Sequence, residues 1–207
     1  MCKRFSRSAV EKLKKWVENG GYLFTEDWVA VELLEVAWGS KIKTFKYLPE
    51  MTVDASPARG STTHPYMRGV FVSKHRFIDK EVRLKRQKEG QLKTRAVKDE
   101  DEIRKRIRQA LKPPKNEWKI DDESPWIKAG PGVVKLLVSE KLRQHTKGCD
   151  TLACTFTAGK GKVLHITSHF GRQKQKEDEF ATQNLLLNFI LDARKSRARA
   201  MLKGGKK

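Results

Sequence analysis

The feature that most constrains the fold of this chain is a pair of short apolar segments joined by a tight glycine turn, between Thr151 and Ser168. The first segment alternates and is rich in residues that suit a pleated sheet, and the second carries valine, leucine and isoleucine. Gly159 and Gly161 supply the backbone freedom at positive φ that a hairpin turn of two to four residues needs. The sequence therefore predicts an antiparallel β-hairpin at Thr151 to Ser168.

Polar residues close this hairpin and precede a long helical segment. They are His165, Ser168 and His169, followed by Gly171. A strand that ends in polar residues just before a helix is where α/β sheets place their sites. Two interpretations stay open at this point, an ordinary hairpin with a loop at its far end and a functional site at that end.

Hydrophobic periodicity predicts the remaining elements. The first helix has Ser6 or Ser8 as its cap and a glycine pair after its last turn. Short apolar runs bounded by turn residues predict the strands. The predicted helices cover 6–18, 27–37, 99–111 and 178–201, and the predicted strands cover 22–25, 43–48, 51–55, 118–120 and 133–139.

Two adjacent acids, Glu26 and Asp27, follow the first predicted strand. They are candidates for a site at the carboxyl end of that strand. They also suit the first turn of the next helix, whose positive end stabilises negative charge. His64, before Pro65, is a candidate ligand or base and equally a turn residue, and Asp121 is a further candidate from an acidic loop.

Charge is concentrated in one part of the chain. The formal net charge is +20 and 34% of the residues are charged. Lys and Arg dominate residues 72–117, where apolar residues are too few for a second core, so we predict a charged insertion there. We also predict a basic C-terminal tail at 192–207. Basic residues of 74–112 and 194–207 could contact a polyanion, or could form an ordinary solvated surface.

Cysteine and hydropathy patterns restrict the class of protein. Cys2, Cys149 and Cys154 make neither a disulfide framework nor a zinc-binding spacing. No run approaches the ~18 apolar residues of a membrane span, and the N-terminus lacks the apolar core of a signal peptide. We therefore predict a cytoplasmic protein and assign no cofactor and no metal.

Short motifs also follow one another in a definite order. They are Asn19-Gly20-Gly21, Thr63-His64-Pro65 with Arg68-Gly69, and Gly159-Lys160-Gly161-Lys162-Val163 in a strand ending near His169. In this order they resemble the class I glutamine-amidotransferase-like superfamily, nearest to its trehalose-utilisation (ThuA-like) branch and related bacterial domains. The resemblance covers residues 8–71 and 118–191.

The resemblance implies a fold, and two departures from it bear on function. It implies an α/β domain, a three-layer flavodoxin-like or amidotransferase-like sandwich with a mostly parallel sheet and a C-terminal antiparallel hairpin. Family members place a strand, a helix and a second strand before the helix that ends in Asn-Gly-Gly, whereas this chain begins close to that helix, so it resembles an N-terminally short member. The amidotransferase nucleophile is a cysteine on a strand-to-helix elbow, and residues 24–27 contain none.

Three functional hypotheses follow for a single domain of residues 1–71 and 118–191. Because the nucleophile is missing, the first is a non-catalytic binding or structural module, which argues against an enzyme. The second is a hydrolase-like or sugar-related enzyme, with a site at the carboxyl edge of the sheet. The third is polyanion or nucleic-acid binding through the insertion and tail. The residues proposed for the second are Glu26, Asp27, His64, Asp121, Ser168 and His169.

Overall fold

A computed structural model describes residues 5–71, 116–122, 124–173 and 176–204. Residues 72–115 of the predicted insertion, including its predicted helix, lie outside the described residues. The helices are α1 (Arg7–Glu18), α2 (π-helical Ala30–Glu35 continuing as α-helical Val36–Trp38), α3 (Glu140–His145) and α4 (Lys176–Gly204). The strands are β1 (Tyr22–Glu26), β2 (Ile42–Tyr47), β3 (Met51–Asp54), β4 (Ser56–Pro57), β5 (Glu117–Ile120), β6 (Pro125–Ala129), β7 (Val133–Val138), β8 (Thr151–Ala158) and β9 (Gly161–Ile166).

The central sheet of the described chain has five strands in the order β1-β9-β8-β7-β4. Two small antiparallel pairs, β2 with β6 and β3 with β5, accompany it. The α/β class is therefore confirmed, and so is the predicted hairpin, because β8 and β9 pair antiparallel from Ala153–Ile166 to Ala158–Gly161.

The prediction of a mostly parallel sheet is wrong, and the finer prediction of a flavodoxin-like three-layer sandwich is not confirmed. Within the described sheet β1 and β9 run parallel, whereas the other three neighbouring pairs are antiparallel. Continuous apolar strands are typical of buried parallel sheets. Here β8 is buried along nearly its whole length although both of its neighbours are antiparallel. Its continuous apolar sequence therefore reflects burial on both faces of the sheet and not parallel pairing.

Helices bury the two faces of the sheet in separate apolar clusters. On one face Leu164 and Ile166 of β9 share a cluster with Leu185 and Phe189 of α4. Val163 of β9 belongs to a second cluster, which contains apolar residues of α1 and α2. The alternation of neighbouring β9 residues between two cores is the period-two pattern of a strand buried on both sides.

The end of α1 packs closely against the hairpin turn. Gly159 has φ +59°, as predicted, but Gly161 does not have positive φ. A Cβ atom on Gly161 would lie 2.0 Å from the carbonyl oxygen of Val17, so this glycine is required by close approach of the α1 backbone. Ser6 caps α1 by accepting a hydrogen bond from the Ala9 amide at 3.2 Å, which selects one of the two predicted caps.

None of the helices in residues 5–71, 116–122, 124–173 and 176–204 is long and apolar enough to cross a bilayer.

Candidate functional site

The candidate site lies where the two parallel strands of the central sheet end side by side. Glu26, the last residue of β1, is in register with Ile166, the last residue of β9. Because the strands are parallel, the residues that follow them emerge at the same edge of the sheet. This arrangement brings Asp27 and His169 together although 142 positions separate them in the chain.

Asp27 links β1 to the following turn in an unusual backbone conformation. Its φ is +48°, a region in which aspartate is tolerated better than most residues. Its amide donates to the Ile166 carbonyl at 3.2 Å, which continues the β1–β9 pairing by one residue. Helix α2 begins only at Ala30, so Glu26 and Asp27 are not first-turn residues of a helix.

The Asp27 carboxylate is buried and accepts two hydrogen bonds. One Oδ accepts from the Ser124 hydroxyl at 2.5 Å, and the other accepts from Nδ1 of His169. Burial raises the pKa of Asp27, and the bonds from Ser124 and His169 oppose that rise. The carboxylate is thus held out of water by two donors, which fix its orientation.

His169 presents its second ring nitrogen to the partly exposed side of the site. An ionised Asp27 can only accept, so the bond between them assigns the ring proton to Nδ1 and leaves the Nε2 lone pair free. Nε2 lies 3.9 Å from Oε1 of Glu26. The other Glu26 oxygen accepts from the Phe170 amide at 2.8 Å, so this carboxylate is also oriented.

Ser168 and Asp121, two other candidates from the sequence, lie beside this group in supporting positions. The Ser168 hydroxyl is fully buried and donates to the Lys119 carbonyl at 2.6 Å. Asp121 pairs with the Lys119 ammonium at 2.9 Å and with Arg172 at 3.6 Å. It also lies close enough to Asp27 to contribute to the rise of that pKa. Ser168 therefore joins the segment after β9 to strand β5, and Asp121 pairs with two cations at the edge of the site.

His64 does not join the group. It caps the 3-10 turn Pro65–Met67 by accepting from the Tyr66 amide at 3.2 Å. Its charged neighbours are Lys162 and Asp192, and burial lowers its pKa. Lys162 lies at the start of the β1–β9 pairing, four residues from Ile166, which corresponds to about 13 Å along a strand. His64 thus lies toward the opposite end of the sheet from His169.

The same side chains could hold a divalent cation. Glu26, Asp27 and His169 each offer one ligand atom, and these atoms lie within 4.8 Å of one another. Carboxylate oxygen and imidazole nitrogen are donors that zinc accepts. While Nδ1 stays bonded to Asp27, Glu26 and Nε2 of His169 would supply the ligands, and Asp27 would be the outer hydrogen-bond partner of the histidine.

Ser124 is the component that the sequence did not reveal. It lies 97 positions from Asp27, immediately before β6, and is completely buried. A serine before a proline is typical of a turn, so no local pattern marks it as a carboxylate donor.

No family model matches this chain, and no curated protein matches it. Similar solved structures include the exo-β-1,4-mannosidase Op5Man5 from Opitutaceae bacterium strain TAV5, with 10% identity, a TM-score of 0.41 and coverage of 94% of this chain and 23% of that one. A β-galactosidase from Rahnella sp. R3 has 10% identity, a TM-score of 0.46 and coverage of 86% and 20%. The β-galactosidase from Bacillus circulans sp. alkalophilus has 10% identity, a TM-score of 0.44 and coverage of 91% and 21%.

The chain spans about a fifth of the length of these glycosidases. Identities near a tenth with TM-scores below 0.5 do not establish a common fold, and no activity is transferred on them. The amidotransferase-like assignment is nevertheless contradicted, because it implies a mostly parallel sheet, whereas three of the four neighbouring strand pairs in the described central sheet are antiparallel. No family model supports that superfamily either. The ThuA-like membership and the non-catalytic amidotransferase-like module predicted from it are therefore wrong.

The motifs that carried the assignment have local explanations in this structure. Asn19 is the C-cap of α1, and Gly20 after it has φ +113°. His64 caps a single 3-10 turn, and Gly159 with its neighbours forms the hairpin turn. Helix ends and tight turns select such residues in many folds.

Proposed function

We propose that Glu26, Asp27 and His169 form a hydrolytic site, in which His169 removes a proton from water. The observation that carries this proposal is the bond from Nδ1 of His169 to the buried Asp27 carboxylate. A buried carboxylate on one ring nitrogen sets the tautomer, orients the ring and stabilises the imidazolium that forms when the other nitrogen takes a proton. The 3.9 Å separation between Nε2 and Glu26 Oε1 leaves both atoms available to one small molecule.

The proposed reaction is a single displacement by water. Nε2 takes a proton from water while the water oxygen bonds to the electrophilic atom of the substrate. The bond to the leaving group breaks, and the leaving group receives the proton held on Nε2. Glu26 accepts a hydrogen bond from the other water hydrogen and thereby positions the attacking oxygen, which converts an encounter in solution into an oriented one.

Water is favoured over a side-chain nucleophile by the positions of the hydroxyl and thiol groups. Among the described residues near the site, the Ser124 hydroxyl donates to Asp27 and the Ser168 hydroxyl donates to a backbone carbonyl. Burial raises the pKa of Cys154 to about 12, which keeps that thiol protonated and unreactive. None of these groups is presented to Nε2 of His169.

The test is hydrolysis of four p-nitrophenyl substrates by the full chain: the acetate and phosphate esters, the β-galactoside and the β-mannoside. His169→Ala removes the base and should lower kcat by about 10²–10⁴-fold on the substrate that is turned over. Asp27→Asn should lower kcat by a similar order, since its amide has one acceptor oxygen for two donors and no negative charge to fix the tautomer and stabilise the imidazolium.

His145→Ala is the matched control, because His145 is an exposed histidine on α3. His64→Ala tests whether the opposite end of the sheet takes part in the reaction. Activity should survive in both control variants. A wild-type chain inactive on the whole panel, or equal rates in wild type and His169→Ala, would refute the proposal.

The polyanion hypothesis remains a separate proposal for the basic segments. Residues 194–204 belong to α4, whose basic side chains include the exposed Arg197 and Arg199. Residues 74–112 lie outside the described residues. Loss of affinity for a polyanion such as heparin on raising salt would support this role, and salt-insensitive binding would contradict it.

A further inference from the structure

A stacked aromatic pair lies on the exposed face of the small β2–β6 sheet and includes none of the residues of the proposed hydrolytic site. The rings of Phe45 and Trp126 have centroids 4.5 Å apart and an interplanar angle of 24°. Phe45 is 43% exposed although it is a large apolar side chain. Folding alone buries this stack incompletely, so an apolar ring face remains open to a further planar group.

Lysines surround the stack and lack acidic partners. Lys43 and Lys128 are directly opposite each other across the β2–β6 pairing, and both are exposed. Like charges in that position destabilise a sheet. Within the described part of the chain Lys43, Lys128 and Lys147 form no ion pair, whereas Lys135 is neutralised by Asp150 at 2.6 Å. Three lysines without an ion pair among the described residues therefore lie on or beside this face, Lys128 and Lys147 next to the stack and Lys43 opposite Lys128.

A cleft of about 390 Å³ joins the aromatic pair to Lys128 and Lys147. Its lining includes Phe45, Trp126, Lys128, Lys135 and Lys147. This volume is in the range of small-ligand sites. The cleft could therefore hold one unit of a chain-like ligand while the adjacent units lie along the protein surface.

We propose that this face, defined by Phe45, Trp126, Lys43, Lys128 and Lys147, binds single-stranded nucleic acid. One base stacks on the Phe45–Trp126 pair, and the adjacent phosphates contact the three unpaired lysines. A base is a planar group that stacks on aromatic rings irrespective of sequence, and phosphates supply the negative charge that the lysines lack. This site is independent of the hydrolytic proposal and of the basic segments discussed above.

Charge complementarity selects this ligand over two others. A neutral oligosaccharide would use the aromatic face but would leave the opposed Lys43 and Lys128 uncompensated. A second protein chain would have to bring acidic groups to three lysines that project around an open cleft. A single strand of nucleic acid provides both a base to stack on the aromatic pair and phosphates to pair with the lysines.

The experiment is a fluorescence anisotropy titration of 5′-fluorescein-labelled (dT)8 with the full chain. With three phosphate contacts, affinity should fall about 18-fold between 50 and 200 mM KCl, from the slope of about −0.7 per phosphate for single strands. Phe45→Leu keeps the apolar volume but removes the ring, and should weaken binding about tenfold at either salt concentration. Lys128→Gln should weaken binding and reduce the salt slope by about 0.7.

The control variants are Phe180→Ala and Lys12→Ala, an exposed aromatic on α4 and an exposed lysine on α1. Both should bind (dT)8 as the wild type does. Salt-dependent binding that is unchanged in Phe45→Leu and Lys128→Gln would place the contact in the basic segments and overturn the proposal. Equal affinity for dTMP would identify a free-nucleotide site, and displacement of (dT)8 by a neutral hexasaccharide would identify a sugar site; either result also overturns it.

Discussion

Lowering the pH should destabilise this protein through one buried histidine on β9. His165 is fully buried, and its Nδ1 lies 3.0 Å from the Thr25 hydroxyl. Its Nε2 has no hydrogen-bond partner among the described residues. A protonated ring would carry charge into the core with a single neighbouring acceptor, and burial accordingly lowers the pKa of His165 to about 3.

The sign and size of the effect follow from proton linkage. An unfolded histidine has a pKa of 6.5. Below pH 6.5 the unfolded chain binds a proton that the folded chain excludes, so the free energy of unfolding falls until the pH reaches the folded pKa. The slope is about 1.4 kcal/mol per pH unit, so His165 alone should remove roughly 2 kcal/mol between pH 6.5 and pH 5.

Urea unfolding at pH 7.5 and pH 5, followed by tryptophan fluorescence, measures this contribution. His165→Gln keeps a polar group near Thr25 but does not titrate. The variant should be less stable than the wild type at pH 7.5, and the gap should narrow by roughly 2 kcal/mol at pH 5. Other titrating groups are common to both proteins and cancel in the difference. An equal gap at the two pH values would refute a buried, neutral His165.

Three further substitutions test the packing of α1 and α4 on the sheet, each by urea unfolding at pH 7.5. Gly161→Ala should cost about 3 kcal/mol, because its Cβ would lie 2.0 Å from the Val17 carbonyl oxygen; a loss below 1 kcal/mol would contradict that contact. Asp192→Ala should cost about 1–3 kcal/mol, since Tyr66 donates to this carboxylate at 2.7 Å. The pKa of Asp192 is lowered in the folded state by hydrogen bonds that outweigh burial, so its contribution should disappear as the pH falls through that pKa. Ser6→Ala should cost about 1 kcal/mol through loss of the α1 cap, and an unchanged midpoint would show that the cap is dispensable.

Features that depend on neighbours close in sequence were predictable from the sequence. The hairpin of β8 and β9 follows from two apolar segments and a glycine turn, and α1 follows from its periodicity and its serine cap. The end of β1 at Glu26 was also placed to within one residue. Hydrogen bonds in turns, caps and helices join residues a few positions apart, so residue type and spacing specify them.

Only the tertiary structure determined the strand directions, the hydrogen-bond partners of Asp27 and the requirement for glycine at position 161. Ser124 and His169 donate hydrogen bonds to Asp27 although they lie 97 and 142 positions from it in the chain. His64 lies toward the other end of the sheet. Local motifs for caps and turns occur with more than one kind of sheet, so they suggested a superfamily whose mostly parallel sheet the observed strand directions contradict. Which strands pair, and which polar groups are buried together, depends on contacts between distant segments that competing local patterns do not distinguish.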